Sequence, residues 1–208
     1  MRIGIIGAGH IGSTLARHFA AAGHEVAISN SRGPDTLREL ASELGPNVEA
    51  MTADGAARFG ELVVVAIPFK DHTEVPPDAV AGKVVIDTMN YYPARDGHFP
   101  ELDSGQTTSS ELLAQHLRGG YVVKAFNSIR WDSLRDKARR SATGEHIGIP
   151  ISGDDATAKQ DVDDLIAEIG FDGVDAGPLG AGGRKHQPGT EIYGAELPSA
   201  ELAEKIAV

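Results

Sequence analysis

IGIIGAGHIGSTLARHFAAAGHEVAISNSRGP, residues 3–34, reads as a strand, a glycine turn, a helix and a second strand. The run Ile3–Ile6 is short and rich in β-branched residues, as in a strand buried on both faces. Gly7, Gly9 and Gly12 follow at the spacing G-x-G-x-x-G. Leu15, Ala16, Phe19 and Ala20 then recur at helical spacing, and Gly23 is placed to stop that helix. Val26-Ala27-Ile28 is the second buried strand. In this frame the glycines mark a dinucleotide site. Gly7 allows the tight turn, Gly9 lets a pyrophosphate approach the backbone, and Gly12 lets the helix pack on the sheet. The open N–H groups and positive dipole end of the helix, from His10 and Ile11 onward, face the phosphates.

The end of the second strand distinguishes the dinucleotides. An NAD site carries an Asp or Glu about 20 residues beyond the glycines, accepting from the ribose hydroxyls. Here the chain has Asn30, Ser31 and Arg32 and no carboxylate. A hydroxyl can donate to a 2′-phosphate and a guanidinium can bind it with two charge-assisted bonds, so the stretch favours NADP(H). The competing reading makes Arg32 a solvated loop charge. Arg38 is a weaker second candidate, expected on a helix surface.

Working outward, the 208 residues allow one large domain or one with a small appendage, and 41% apolar content is ample for a core. A net charge of −11 with no long run of either sign argues against nucleic-acid or anionic-membrane binding. Without cysteine there is no disulfide, thiolate metal site or cysteine nucleophile. The eight histidines are scattered without ligand spacing, so no metal is expected. The absence of a long apolar run and of signal-peptide features predicts a soluble, cytoplasmic protein.

After Gly33, Pro34 opens a helix with Leu37, Leu40, Ala41 and Leu44 on one face. Val48–Met51 is a short strand, Thr52 caps a helix to about Phe59, and Leu62–Ile67 is the clearest buried strand. In an open parallel sheet ligands lie at the carboxyl ends of strands, so Ala66, Ile67 and the loop from Pro68 to His72 belong over the cofactor. One helical turn near 78–81 precedes the strand Lys83–Asp87. Its exit offers Asn90, whose amide can serve a carboxamide or ribose, or which is only a turn residue. The stretch 94–106 reads as an irregular loop over the site. A helix from Ser109 or Ser110 to about His116 leads to the strand Tyr121–Phe126, which exits at Asn127. The mixed-charge region 130–140, with the lone Trp131, suits a solvated helix or a flap, and is read first as a surface-exposed irregular segment.

Ile147–Gly153 is a seventh strand that Pro150 demotes toward an edge or irregular strand. Asp154 or Asp155 caps a helix with the stripe Ala158, Val162, Leu165, Ile166 and Ile169. The glycine-rich stretch Leu179–Arg184 reads as a mobile connector rather than a second anion cradle, since no apolar strand–helix frame surrounds it. A last helix spans Ser199–Ile206. The expected fold is α/β: a Rossmann-like, doubly wound, mostly parallel sheet. Residues 1–140 form the dinucleotide-binding domain and 141–208 a small C-terminal α/β lobe packed on the sheet, or one continuous domain.

The blocks VVVAIPF, VVIDTMN, SSELLAQHL, YVVKAFNSI, PISGDDATAKQDVDDLIAEIGFDGVDAGPL and QPGTEIYG follow the opening stretch in order. Together they resemble the NADP oxidoreductases that use the deazaflavin coenzyme F420, and also the cytosolic NADPH-binding part of some metalloreductases. The resemblance implies a dimer, with NADP(H) on the strand ends and a deazaflavin or flavin stacked over the nicotinamide. Gly9 to Gly12 would hold the pyrophosphate, Ser31 and Arg32 the 2′-phosphate, and Ile67-Pro68 would border ribose and nicotinamide. Ala125, Phe126 and Asn127 would sit beside the nicotinamide. The chain departs from that family at Tyr91-Tyr92-Pro93, where proline more often follows the asparagine directly, so residues 91–102 shape the second-substrate pocket.

Hydride transfer between stacked rings needs orientation and exclusion of water rather than an acid–base dyad. That fits a chain without a nucleophile motif. Two other readings stay open. A reductase of small carbonyl or imine compounds would take its proton from a Tyr or His in 91–98, and a non-catalytic NADPH-binding module would need no acceptor. His10, His72 and His98 can each reach a site loop but read more simply as surface or loop residues. Tyr91 and Tyr92 suit ring stacking or a subunit interface.

Overall fold

Short β-branched runs alternating with amphipathic stretches build one eight-stranded sheet with helices on both faces. The computed structural model describes residues 1–138 and 146–207. In chain order the first half comprises β1 (Arg2–Ile6), α1 (His10–Ala21), β2 (Glu25–Ser29), α2 (Arg38–Leu44), β3 (Val48–Ala50), α3 (Ala53–Phe59) and β4 (Leu62–Val65). The middle comprises α4 (Pro77–Val80), β5 (Val84–Asp87), α5 (Pro93–Asp96), α6 (Pro100–Asp103), α7 (Ser109–Leu117), β6 (Tyr121–Lys124) and α8 (Trp131–Asp136). Then come β7 (Gly148–Gly153), α9 (Ala156–Glu168), β8 (Asp172–Gly177), α10 (Leu179–Gly183) and α11 (Ser199–Ala207). Single 3₁₀ segments at Pro34–Leu37 and Phe69–Glu74 complete the connections.

The strand order is β3-β2-β1-β4-β5-β6-β7-β8, and every neighbouring pair is parallel except β6 and β7. Connections run one way from β1 to β2 and β3, and the other way from β4 onward, so the order reverses between β1 and β4. A crevice opens at the carboxyl ends of strands at such a point. Alternate residues of the central strands feed two cores. Ile3, Ile5, Val64, Ile86 and Val123 meet Leu15 and Phe19 of α1 and Val162 and Ile166 of α9. Val63, Val65, Val85 and Val122 meet Val80 of α4 and Leu113 and Leu117 of α7. Each such fully buried aliphatic side chain contributes about 1.5–3 kcal/mol.

The local signals act as expected at the helix starts. Thr52 accepts from the Gly55 N–H, Asp155 accepts from the Ala158 N–H, and Thr108 and Glu111 form a reciprocal capping box on α7. The apolar stripe expected for α9 is buried at all five positions.

Four expectations are corrected. First, 131–136 is helical: Leu134 and Ser133 are buried, and the Leu134 carbonyl bonds the His18 ring at 2.7 Å, docking α8 on α1. Residues 139–140 of that expected segment, and the domain division at 140/141, lie outside the described residues. Second, 94–106 contains α5 and α6, each opened by a proline that pre-sets the first turn. Third, β7 is not an edge strand but lies between β6 and β8; the expected irregularity is present as a register shift between Ile151 and Ser152 in its pairing with β8. Its pairing with β6 is confined to Ser152 and Gly153, so Pro150 falls outside that ladder and its missing N–H removes nothing there. Fourth, Leu179–Gly183 is the helix α10. A Cβ on Gly182 would lie 2.6 Å from the Ser152 hydroxyl oxygen, and one on Gly180 would lie 2.5 Å from a Glu111 carboxylate oxygen. These glycines serve close packing rather than mobility.

Candidate functional site

The crevice is built on the glycine turn between β1 and α1. Gly7 has φ +110°, and a Cβ there would stand 2.2 Å from the Ala66 carbonyl oxygen; one on Gly12 would stand 1.9 Å from the Gly7 carbonyl oxygen. Both positions exclude a side chain because backbone from β1, β4 and α1 converges there. Gly9 is different: a Cβ would meet nothing within 4 Å, so that position faces open space. Gly9 is also the N-cap of α1 and supplies no side-chain cap, which leaves the first N–H groups, from His10 to Gly12, directed outward. The turn therefore fits an anionic pyrophosphate.

Two cavities of about 360 Å³ each lie on either side of this turn and share Gly9, Ala66, Ile67 and Pro68 as a common wall. The first runs over the end of β2 and is lined by Gly7, Asn30, Ser31 and Arg32, with Asp71 and Glu74 on another wall. Asn30 is committed to shaping the loop: its Oδ1 accepts the Arg32 N–H at 2.9 Å and its Nδ2 donates to Thr36 Oγ1 at 3.0 Å. That turn presents Ser31 and Arg32 exposed at the cavity rim, and among the described residues the Arg32 guanidinium has no ion pair. Arg38 is exposed and pairs with Asp35 instead.

The second cavity lies over the ends of β4 and β5 and beside the exit of β6. His10, Ile11, Met89, Asn90, Tyr92, Arg95, Phe126, Asn127, Ile129, Trp131 and Tyr193 line it together with the shared wall. At the mouth the His10 ring stacks on the Trp131 indole, with centroids 4.4 Å apart, and the Arg135 guanidinium lies 4.9 Å from the Trp131 ring. Phe126 is fully buried with φ +60°, a left-handed conformation that bulky residues rarely adopt. That strained residue turns the chain out of β6 and places Asn127 at the cavity wall.

A polar chain runs from the core to this wall. Ser152 and His186 Nε2 are 2.8 Å apart, and His186 Nδ1–H donates to Asn127 Oδ1 at 2.8 Å. Asn127 Nδ2 donates to Asn90 Oδ1 at 3.1 Å, and Asn90 Nδ2 returns to the Asn127 carbonyl at 2.8 Å and to the Tyr193 hydroxyl at 3.3 Å. The Tyr193 and Tyr92 hydroxyls bond each other. Burial, reinforced by the nearby Lys124 ammonium, pushes the His186 pKa down to about 3, so its imidazole is neutral and its Nδ1 proton is committed to Asn127. Burial and the bond to Tyr92 raise the Tyr193 pKa well above the usual phenol value. Arg95 lies 4.9 Å from the Tyr92 ring, donates to the Asn90 carbonyl and pairs with Asp96. Burial opposes the Asp96 carboxylate, but hydrogen bonds from Arg95 and the Tyr92 N–H outweigh it and lower its pKa.

Of the residues expected at the site, Gly7, Gly9, His10, Ile11, Asn30, Ser31, Arg32, Ala66, Ile67, Pro68, Asn90 and Asn127 line one or both cavities. Gly12 and Ala125 line neither: Gly12 is packed under the turn and Ala125 is fully buried in the core. His72 is buried against Phe69, and His98 is exposed and paired with Asp103. Tyr91 bonds Asp103 and the Gly97 carbonyl, which organises the segment carrying α5 and α6. Sequence reasoning passed over Tyr193, His186 and Ser152 as site components. They reach the site from distant elements, and no local spacing announces them.

An alternating α/β sheet with a glycine turn at its switch point and a cleft on the strand ends defines a Rossmann-type dinucleotide-binding protein. Residues 2–91 match the family model of coenzyme F420-dependent NADP oxidoreductases. The chain is an NADP-dependent oxidoreductase. The fold is similar to a hypothetical protein from Sinorhizobium meliloti (31% identity, 95% of each chain covered, TM-score 0.82). It is also similar to a protein from Arthrobacter sp. FB24 assigned as an F420-dependent NADP reductase (29% identity, 86% of each chain, TM-score 0.73). A reductive aminase from Aspergillus terreus, solved with NADPH and ethyl levulinate, shares the fold at 19% identity over 87% of this chain and 56% of that one (TM-score 0.60). No curated protein sequence matches the chain.

Proposed function

We propose that the chain transfers a hydride between NADP(H), held across the glycine turn, and a planar acceptor of the deazaflavin or flavin type in the cavity beside β5 and β6. The observation that carries this reading is the shared wall: one turn with open N–H groups separates two cavities of equal size, so a dinucleotide on the turn has room for a nucleoside on each side. When bound, NADPH supplies the hydride. The N–H groups from His10 to Gly12 hold the pyrophosphate, and Ser31 and Arg32 hold the 2′-phosphate. Asn90 and Asn127, locked to each other, orient the carboxamide side. Ile11, Ile67, Pro68, Met89, Ile129 and Trp131 provide apolar walls that exclude water from the reacting carbons.

The hydroxyl pair Tyr92–Tyr193 favours a second reading, reduction of a small carbonyl or imine compound. Such an acceptor takes up a proton with the hydride, and Tyr193 holds a phenolic proton at the cavity wall. The Aspergillus reductive aminase shares the fold at 19% identity.

The test is NADPH oxidation followed by absorbance with a deazaflavin, FMN, FAD and a panel of small ketones and cyclic imines. Turnover with deazaflavin or flavin at a kcat/KM well above the others supports the first reading. Turnover restricted to ketones or imines replaces it with the second. Tight NADPH binding with no turnover on any acceptor removes both.

A further inference from the structure

A third cavity, of about 150 Å³, lies behind Asn90, which lines both it and the acceptor side of the cleft. Its chemistry is unlike that of the cleft. Lys124, Arg184, Ser109 and Gln187 face it, together with the start of α7 at Thr107 and Thr108, and no carboxylate lines it.

Two cations meet there in different states. Lys124 is 2% exposed and spends two N–H bonds, on Asp87 at 3.3 Å and on the Met89 carbonyl at 2.9 Å. An ammonium has a third donor. Arg184 is half-buried, and among the described residues its guanidinium makes neither a hydrogen bond nor an ion pair. The Ser109 hydroxyl likewise has no partner among the described residues. Glu111 lies outside this lining, and its Oε2 is taken by the Thr107 and Thr108 hydroxyls and the Thr108 N–H. Arg184 contributes to holding that carboxylate ionised. Arg184 lines a space of about 150 Å³, room for a small ligand, and a guanidinium carries five donors.

The Arg184 guanidinium, half-buried and with no acceptor among the described residues, offers two parallel N–H groups that an oxyanion in the chamber would fill. We infer that this chamber is a binding site for a small oxyanion, a carboxylate or a phosphate, held by Arg184 with Lys124 and Ser109. Its planar fork suits either group through two parallel bonds. The site stands one side chain away from the acceptor cavity, across Asn90. It does not depend on which acceptor uses the cleft.

Calorimetric titration of the full chain with inorganic phosphate and, separately, with acetate tests this, against sodium chloride at matched ionic strength. The proteins are the wild type, Arg184→Gln, Arg184→Lys and Arg32→Ala. The expected result is saturable binding of at least one anion by the wild type and by Arg32→Ala, weakened about tenfold or more in Arg184→Gln and partly restored in Arg184→Lys. Binding of phosphate alone, or of acetate alone, supports the site and names its anion. Binding lost in Arg32→Ala but kept in Arg184→Gln assigns the anion to the dinucleotide crevice and overturns the inference. Absence of saturable binding of either anion by the wild type also overturns it.

Discussion

Lys124 and Asp87 stand opposite each other in β6 and β5, and their side chains meet at 3.3 Å with 2% and 0% of their surface exposed. The carboxylate also accepts from the Ser110 hydroxyl at 2.6 Å and the Met89 N–H at 2.8 Å. The pair thus ties the two strand ends to the start of α7 and to the loop carrying Asn90. Breaking a buried pair by removing one partner leaves an uncompensated charge, which costs about 3–5 kcal/mol. Lys124→Met is therefore expected to lower stability by that order, and Lys124→Met with Asp87→Asn to recover a substantial part. Urea denaturation of the single and double variants measures both. A single variant as stable as wild type contradicts the coupling.

How far the sequence carried the reading is visible in this same corner. The strands VVID and YVVK were legible because their apolar runs are short and bounded, and the glycine turn because all its parts are consecutive. The meeting of Asp87 with Lys124 was not legible, since register between strands more than thirty residues apart leaves no local trace. The same holds for Tyr193 and His186, which join the site through loops after β8. Helix α8 ranked below an irregular segment because one buried leucine in a charged hexapeptide carries no periodicity; docking on α1 makes the helix. The glycines of α10 were misread because flexibility and close approach produce the same composition.

His186 gives a pH signature. Its folded pKa lies near 3, while an exposed histidine in the unfolded chain titrates near the ordinary value of 6.5. Below pH 6.5 the unfolded chain takes up a proton that the folded protein refuses, so stability falls with falling pH across the window from about 6.5 to about 3. One such group contributes a slope of about 1.4 kcal/mol per pH unit within that window. His18 and His72, lowered mainly by burial, act in the same direction. The variant His186→Gln is expected to be less stable at pH 7 but to lose about one proton's worth of this slope. An unchanged slope, measured by calorimetry from pH 7 to pH 4, refutes the assignment.

The glycines of the turn are expected to fail differently. Gly7→Ala puts a Cβ 2.2 Å from the Ala66 carbonyl oxygen at φ +110°, so it is a stability mutation, costing on the order of 2 kcal/mol or more. In Gly9→Val the added Cβ has open space, with nothing within 4 Å, and the side chain blocks the open face of the turn, so its melting temperature is expected to stay within about 4 °C of wild type while dinucleotide affinity drops about a hundredfold. Thermal melts paired with NADPH fluorescence titration separate the two. Retained affinity in Gly9→Val places the pyrophosphate elsewhere.

Arg32 is exposed, and unpaired among the described residues, at the rim of the cavity beside β2. The variant Arg32→Ala is expected to weaken NADPH about tenfold or more and to leave NADH nearly unchanged, because only NADPH carries the 2′-phosphate. Equal losses for the two dinucleotides, measured under identical salt, remove Arg32 from the phosphate site.

The hydroxyl pair decides between the two acceptor readings. Tyr193 bonds Tyr92 and Asn90 and holds its proton more tightly than a free phenol. Replacement by phenylalanine preserves the ring and its packing beside the cleft and deletes only the hydroxyl. If the acceptor is a deazaflavin or flavin, hydride transfer is governed by orientation and Tyr193→Phe should change kcat less than about tenfold. If the acceptor is a small carbonyl or imine compound, the lost proton donor should lower kcat by about a hundredfold or more, with KM little affected. Tyr92→Phe supplies the control, since it leaves Tyr193 bonded to Asn90. A fall in kcat confined to Tyr193→Phe identifies that hydroxyl as the donor, whereas equal falls in both variants point to the pair acting as one unit.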